Sequence, residues 1–110
     1  MQKEISYERI LSFLGLATRA GKVVSGMDAV EGAMRNGIVD IVIAAEDASD
    51  KTKKNISYLT EKLDIPLFFV PDRFMLGRFL GKEERVVCGV LDEGFAKRLK
   101  QLFAGTEKEG

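Results

Sequence analysis

The chain has 110 residues, 45% of them hydrophobic and 31% charged, which bounds it to one compact domain and excludes global disorder. Seventeen basic and seventeen acidic side chains cancel, so a histone-like or tail-driven nucleic-acid binder is excluded, and any attraction for a polyanion must come from uneven placement of charge. The chain has no histidine and a single cysteine, which removes the commonest general base, an internal disulfide and any cysteine-built metal site.

In chain order, "ISYERILSFLGLATRAG" places Ile5, Ile10, Leu11, Leu14 and Leu16 at near-helical spacing, with a basic last turn and Gly21 as the stop. "KVVSG" reads as a short strand or extended link. Ser25 and Asp28 then fit the [ST]-x-x-[DE] pattern, so Ser25 is expected to cap a second helix running to about Asn36, with Asp28 supporting the cap. Gly37 ends that helix, and "IVDIVIAA" is an apolar, β-branched run suited to a strand buried on both faces.

"EDASDKTKKNISYLTEKLD" predicts a third helix with a stripe of Ile56, Leu59 and Leu63, and "IPLFFV" a second buried strand. Pro71 opens a short helix in "DRFMLGRFLG" that ends at Gly81, followed by the loop "KEE" and the strand "RVVCGVL". Cys88 lies among apolar neighbours there and reads as a small buried hydrophobe. "DEGFAKRLKQLFAG" closes the chain as an amphipathic helix. Helices alternating with hydrophobic strands predict an α/β fold, a three-layer α/β/α sandwich on a small mixed sheet of about four strands. Residues 1–104 are expected to form this single domain and residues 105–110 a flexible tail.

No dinucleotide-binding or P-loop motif is present, and no apolar run reaches the roughly 18–20 residues of a membrane span. The charged opening does not read as a secretory leader, and the cytoplasm is the expected compartment. The neighbouring carboxylates Glu46–Asp47 and Asp92–Glu93 stand between strands and helix starts, where they favour the helix dipole and cap free amides.

Lys51, Lys53 and Lys54 read as a solvated helix face. Arg73, Arg78, Lys82 and Arg85, interleaved with apolar residues around two glycines, point more strongly to a phosphate-bearing ligand, although a plain amphipathic helix explains the same pattern. Four glycines punctuate "ATRAGKVVSGMDAVEGAMRNG", and from Arg9 to Met27 there is no acidic side chain. A glycine at the first turn of the second helix would let a backbone or phosphate come close to free amides, with Arg19 and Lys22 nearby. Relief of packing between helices is the competing explanation.

The order of elements, with "GKVVSGMDAVEGAMRNG", "VIAAEDAS", "IPLFFV" and "LGRFLGKEERVVCGV", resembles the L-seven-Ae/L-thirty-e superfamily of ribosomal and kink-turn RNA-binding proteins, and within it the bacterial YlxQ branch. The resemblance covers about residues 7–104. It implies the three-layer sandwich and no catalysis. It also implies that a Gly-Thr-Asn-Glu-x-Thr-Lys type motif at the start of helix two reads sheared G·A pairs, while the loop matched here by Gly81 to Val86 covers a flipped-out base.

The matching run is Gly26, Met27, Asp28, Ala29, Val30, Glu31 and Gly32, which keeps the glycine but replaces the asparagine, glutamate and lysine readers. The expected function is therefore non-catalytic binding of structured RNA, ribosomal or other non-coding, by a free monomer that needs no cofactor or metal and touches no membrane. The expected contacts are Arg19, Lys22, Ser25, Gly26, Met27, Asp28, Arg78, Lys82 and Arg85. Ribosomal proteins are further expected partners, and the alternative is a protein-interaction module of the translation or transcription machinery that keeps this fold without kink-turn recognition.

Overall fold

The computed structural model describes residues 6–105. Its elements run α1 (Tyr7–Arg19), β1 (Val23–Ser25), α2 (Met27–Arg35), β2 (Ile41–Ala45), α3 (Asp50–Lys62), β3 (Leu67–Val70), α4 (Arg73–Phe79), β4 (Val87–Val90) and α5 (Glu93–Phe103). The strands form one sheet in the order β1-β4-β2-β3, with β2 and β3 parallel and the other two pairings antiparallel. The parallel pair is joined by α3, the helical crossover such a pair requires.

Side-chain alternation along the central strands makes the three layers. Ile41 and Ile43 of β2, with Cys88 and Val90 of β4, face α1, α4 and α5 and pack against Ile10, Leu14, Leu76 and Leu99. Val42 and Ala44, with Val87, face the other way onto Val30, Met34, Ile56 and Leu59 of α2 and α3. This is the predicted mixed four-stranded α/β/α sandwich. Cys88 is fully buried, and burial pushes its thiol from the ordinary 9.0 up to about 12, only partly offset by a hydrogen bond from the Ile43 backbone.

Several expectations of burial are corrected. Leu16 is 49% exposed because it lies nearly opposite the centre of the buried Ile10–Leu14–Ala17 stripe. Leu63 is 38% exposed because α3 has already ended at Lys62 and Leu63 takes its C-cap. Ile38 precedes the strand and is exposed, so the buried run is shorter than "IVDIVIAA". β3 is an edge strand and mostly half-buried. Ile5 and the tail from Thr106 lie outside the described residues.

Candidate nucleic-acid interface

Four helices begin with a side-chain cap: Ser6, Ser49, Asp72 and Asp92 each accept a hydrogen bond from the amide three residues on. Helix α2 does not. Its N-cap is Gly26, and no side chain caps its first turn. The capping role expected of Ser25 is thus corrected, because Ser25 is the last residue of β1, paired with Cys88, and its hydroxyl accepts from Arg85 Nε at 3.3 Å. Asp28 does not cap either; it is exposed in the first turn, where its charge suits the positive end of the dipole.

Gly26 has φ 93° and ψ 148°, a conformation essentially restricted to glycine. A Cβ built there meets nothing within 4 Å. Relief of packing against a neighbouring helix, the competing explanation, is therefore corrected: the residue is needed for the sharp turn from β1 into α2. The turn leaves the space above the helix end open to an incoming group, and the amides of the uncapped first turn are the donors such a group would meet.

The loop from Gly81 to Val86 lies beside this turn. Gly26 N donates to Val87 O at 3.0 Å, and Arg85 reaches across to Ser25 while also donating to Glu84 O at 2.8 Å. Ser25, Gly26, Met27, Asp28 and Arg85 therefore occupy one end of the sheet. Lys82 is exposed on the same loop and lines a hollow with Phe74, Arg78 and Glu83.

Three other expected contacts are placed differently. Arg19 and Arg78 both line a groove between α1 and α4 that also includes Gly81. Lys22 stands apart: its carbonyl accepts from Leu91 N at 2.7 Å, at the end of β1 opposite Ser25. Three residue steps along the extended chain separate them by roughly 10 Å. The expectation that Lys22 sits beside the α2 start is corrected on that ground.

Arg73 is no part of a free basic patch. Its guanidinium donates to Asp47 O at 2.6 Å and lies 3.4 Å from the Asp47 carboxylate and 3.5 Å from that of Glu84. Its amide donates to Asp47 Oδ1 at 3.0 Å. Asp47 therefore ties α4 to the turn after β2 instead of capping α3, and Arg73 pins the Gly81–Val86 loop through Glu84. Lys53 is likewise engaged, donating to Glu46 O at 2.9 Å. Among the described residues no group of histidine, cysteine or carboxylate side chains could hold a metal ion, and no helix is long and apolar enough to cross a membrane.

An uncapped helix start beside a cation-bearing loop thus stands at one end of a small α/β/α sandwich on a mixed four-stranded sheet. Residues 8–100 match the ribosomal protein L7Ae/L30e/S12e/Gadd45 family, and the chain belongs to it. It is 46% identical over 90 residues to the RNA-binding protein YlxQ of Bacillus subtilis, covering 82% of this chain and 90% of that one. It is 35% identical over 98 residues to the Enterococcus faecium protein of the same name, covering 89% and 94%.

A Bacillus halodurans protein described as of unknown function superposes with a TM-score of 0.84 at 44% identity, covering 87% of this chain and 97% of that one. The Giardia lamblia 15.5kD RNA binding protein superposes with a TM-score of 0.77 at 17% identity, covering 96% and 90%, and shares the fold. The YlxQ relatives carry the names of RNA-binding proteins.

Proposed function

We propose that this protein binds structured RNA, of the kink-turn kind or a close variant, on the surface formed by the start of α2 and the Gly81–Val86 loop. It does so as a cytoplasmic monomer serving the ribosome or the translation apparatus. The observation that carries this reading is the uncapped, unobstructed α2 start at Gly26, with Arg85 hydrogen-bonded to Ser25 at its side. Free amides and the helix dipole suit a phosphate or a polar base edge, and Arg85 and Lys82 supply charge-assisted contacts that position the backbone. The names of the YlxQ relatives support RNA as the ligand.

Asp28 and Ala29 present an acceptor and a methyl group on the exposed side of α2, and Gly32 presents no side chain at all. This surface favours altered base preference over complete loss of RNA binding, because backbone and phosphate contacts do not depend on those three side chains. The test compares the affinity of a kink-turn RNA with that of an uninterrupted duplex of equal length, for the wild type and for Lys82→Glu and Arg85→Glu. The reading expects preference for the kink-turn and weakened binding in both variants. Equal affinity for the two RNAs, unaffected by either reversal, would refute it.

A further inference from the structure

The groove between α1 and α4 has a volume of about 440 Å³, and two of its lining residues are Arg19 and Arg78. No acidic residue lines it. Neither arginine has an ion-pair partner among the described residues, in contrast to Arg73, which is held by Asp47 and Glu84, and Arg35, which is held by Glu31. Arg19 is exposed, and its guanidinium passes close to Gly15, where a built Cβ would lie 3.7 Å from Arg19 Nη1 and 3.6 Å from Phe79 O. Arg78 approaches the groove from the last turn of α4, its guanidinium carbon 5.7 Å from the Phe79 ring centroid.

Hydroxyls complete the lining. Ser12 is exposed, and Thr18 donates to Leu14 O at 2.9 Å, which leaves its oxygen free to accept. Gly81 is common to this groove and to the loop of the proposed RNA surface.

We infer that the α1–α4 groove is a second nucleotide site, taking one phosphate between Arg19 and Arg78 and the adjoining ribose against Thr18. The ligand is the RNA strand that leaves the primary surface across Gly81. Two guanidinium groups lining one groove supply the planar donors that phosphodiester oxygens accept, and the ribose 2′-hydroxyl can donate to the Thr18 oxygen. Each arginine also lies in the last turn of its helix, where a cation offsets the negative end of the dipole. That role explains one arginine per helix, but not why both stand over one groove without an acid. The inference rests on RNA binding at the primary surface and extends its footprint.

The test measures affinity for a minimal kink-turn RNA and for the same RNA carrying a short single-stranded extension at either end. The wild type is expected to gain about tenfold from one of the extensions, the scale of one charged hydrogen-bonded contact. Arg19→Ala/Arg78→Ala should lose that gain while keeping the minimal-RNA affinity, and Arg19→Lys/Arg78→Lys should recover only part of it. Arg85→Ala should weaken both RNAs alike.

A gain retained in the double-alanine variant, or no gain in the wild type, overturns the groove site and leaves the primary surface standing. Lowered thermal stability of the double-alanine variant with unchanged binding would reduce the arginines to dipole partners and overturn it too. Wild type that binds neither RNA above a plain duplex refutes both readings. Adenosine monophosphate serves as the free-nucleotide arm: binding it as tightly as the RNA extension would assign the groove to a free nucleotide and overturn the RNA-strand assignment.

Discussion

The main chain of Glu84 lies directly on the Cα of Gly77, so close that a Cβ there would stand 2.5 Å from Glu84 Cα and 2.8 Å from its nitrogen. The contact is backbone against backbone and cannot relax by turning a side chain. The Gly77 carbonyl also accepts from Lys82 N at 2.9 Å, so the loop that bears Lys82 and Arg85 is seated on α4 at this glycine. Gly77→Ala should therefore displace the loop and cost about 1–3 kcal/mol, as overpacking of a filled site does, with RNA affinity falling alongside. Urea unfolding reads the stability, and a wild-type midpoint would show that the loop is not held there.

Arg73 should behave as a positioning residue. Arg73→Ala removes its bonds to Asp47 and its ion pair to Glu84, at an expected cost of about 1–2 kcal/mol for a half-exposed network. RNA affinity should fall while the dependence of binding on salt stays unchanged, because no phosphate contact is lost. Arg73→Lys should fail to restore stability, since one ammonium cannot span acceptors that need a planar fork. A salt slope reduced by about one unit would instead make Arg73 a phosphate contact.

The exposed face of α2 can be edited without steric cost. Gly32 is in the helix interior, and a Cβ there meets nothing within 4 Å, so Gly32→Ala should raise stability by about 0.5–1 kcal/mol. Combining Asp28→Asn, Ala29→Glu and Gly32→Lys should raise affinity for a kink-turn RNA by about 1–3 kcal/mol, the scale of one good base contact. A duplex control isolates the effect of added charge, and equal gains on both RNAs would show that only charge was restored.

Cys88 gives a signed pH effect. Its thiol is held neutral up to about 12 in the fold against an ordinary 9.0, so below pH 9 both folded and unfolded chains carry the proton and nothing changes. Above that pH the unfolded thiol ionises first, and stability should fall by about 1.4 kcal/mol per pH unit until the folded thiol ionises as well. Cys88→Ala should be less stable at neutral pH by about 0.5–1.5 kcal/mol, as for loss of one buried group, yet decline less steeply in alkali. Parallel alkaline declines in the two proteins would contradict the burial. RNA affinity at neutral pH should not change.

The layers of this fold are legible in the sequence because they rest on local periodicity: Ile10, Leu11 and Leu14 on one helical stripe, Ile41 and Ile43 against Val42 and Ala44 on opposite strand faces. The site is legible only in part. Ser25 carries the same [ST]-x-x-[DE] spacing as a cap, but Gly26 turns the chain so sharply that helix α2 begins one residue later, and the hydroxyl is taken by Arg85, sixty positions away in the sequence.

Arg73 and Asp47 meet across 26 residues, and nothing local to either announces the pair. Lys22 is close to Ser25 in sequence but is set at the far end of an extended strand, a separation that depends on the register with β4. Gly77 offers one usable signal, a glycine inside a short helical pattern, which costs helix stability unless something must come close.

We propose above that RNA lies on the α2 start and the Gly81–Val86 loop. Backbone amide chemical-shift mapping during titration with a kink-turn RNA tests it most directly. The largest shifts are expected at Gly26, Met27, Asp28 and Arg85, with the exposed side of α3 around Lys51, Lys54 and Tyr58 unaffected. Shifts concentrated on α3, with Gly26 through Asp28 unmoved, would contradict it.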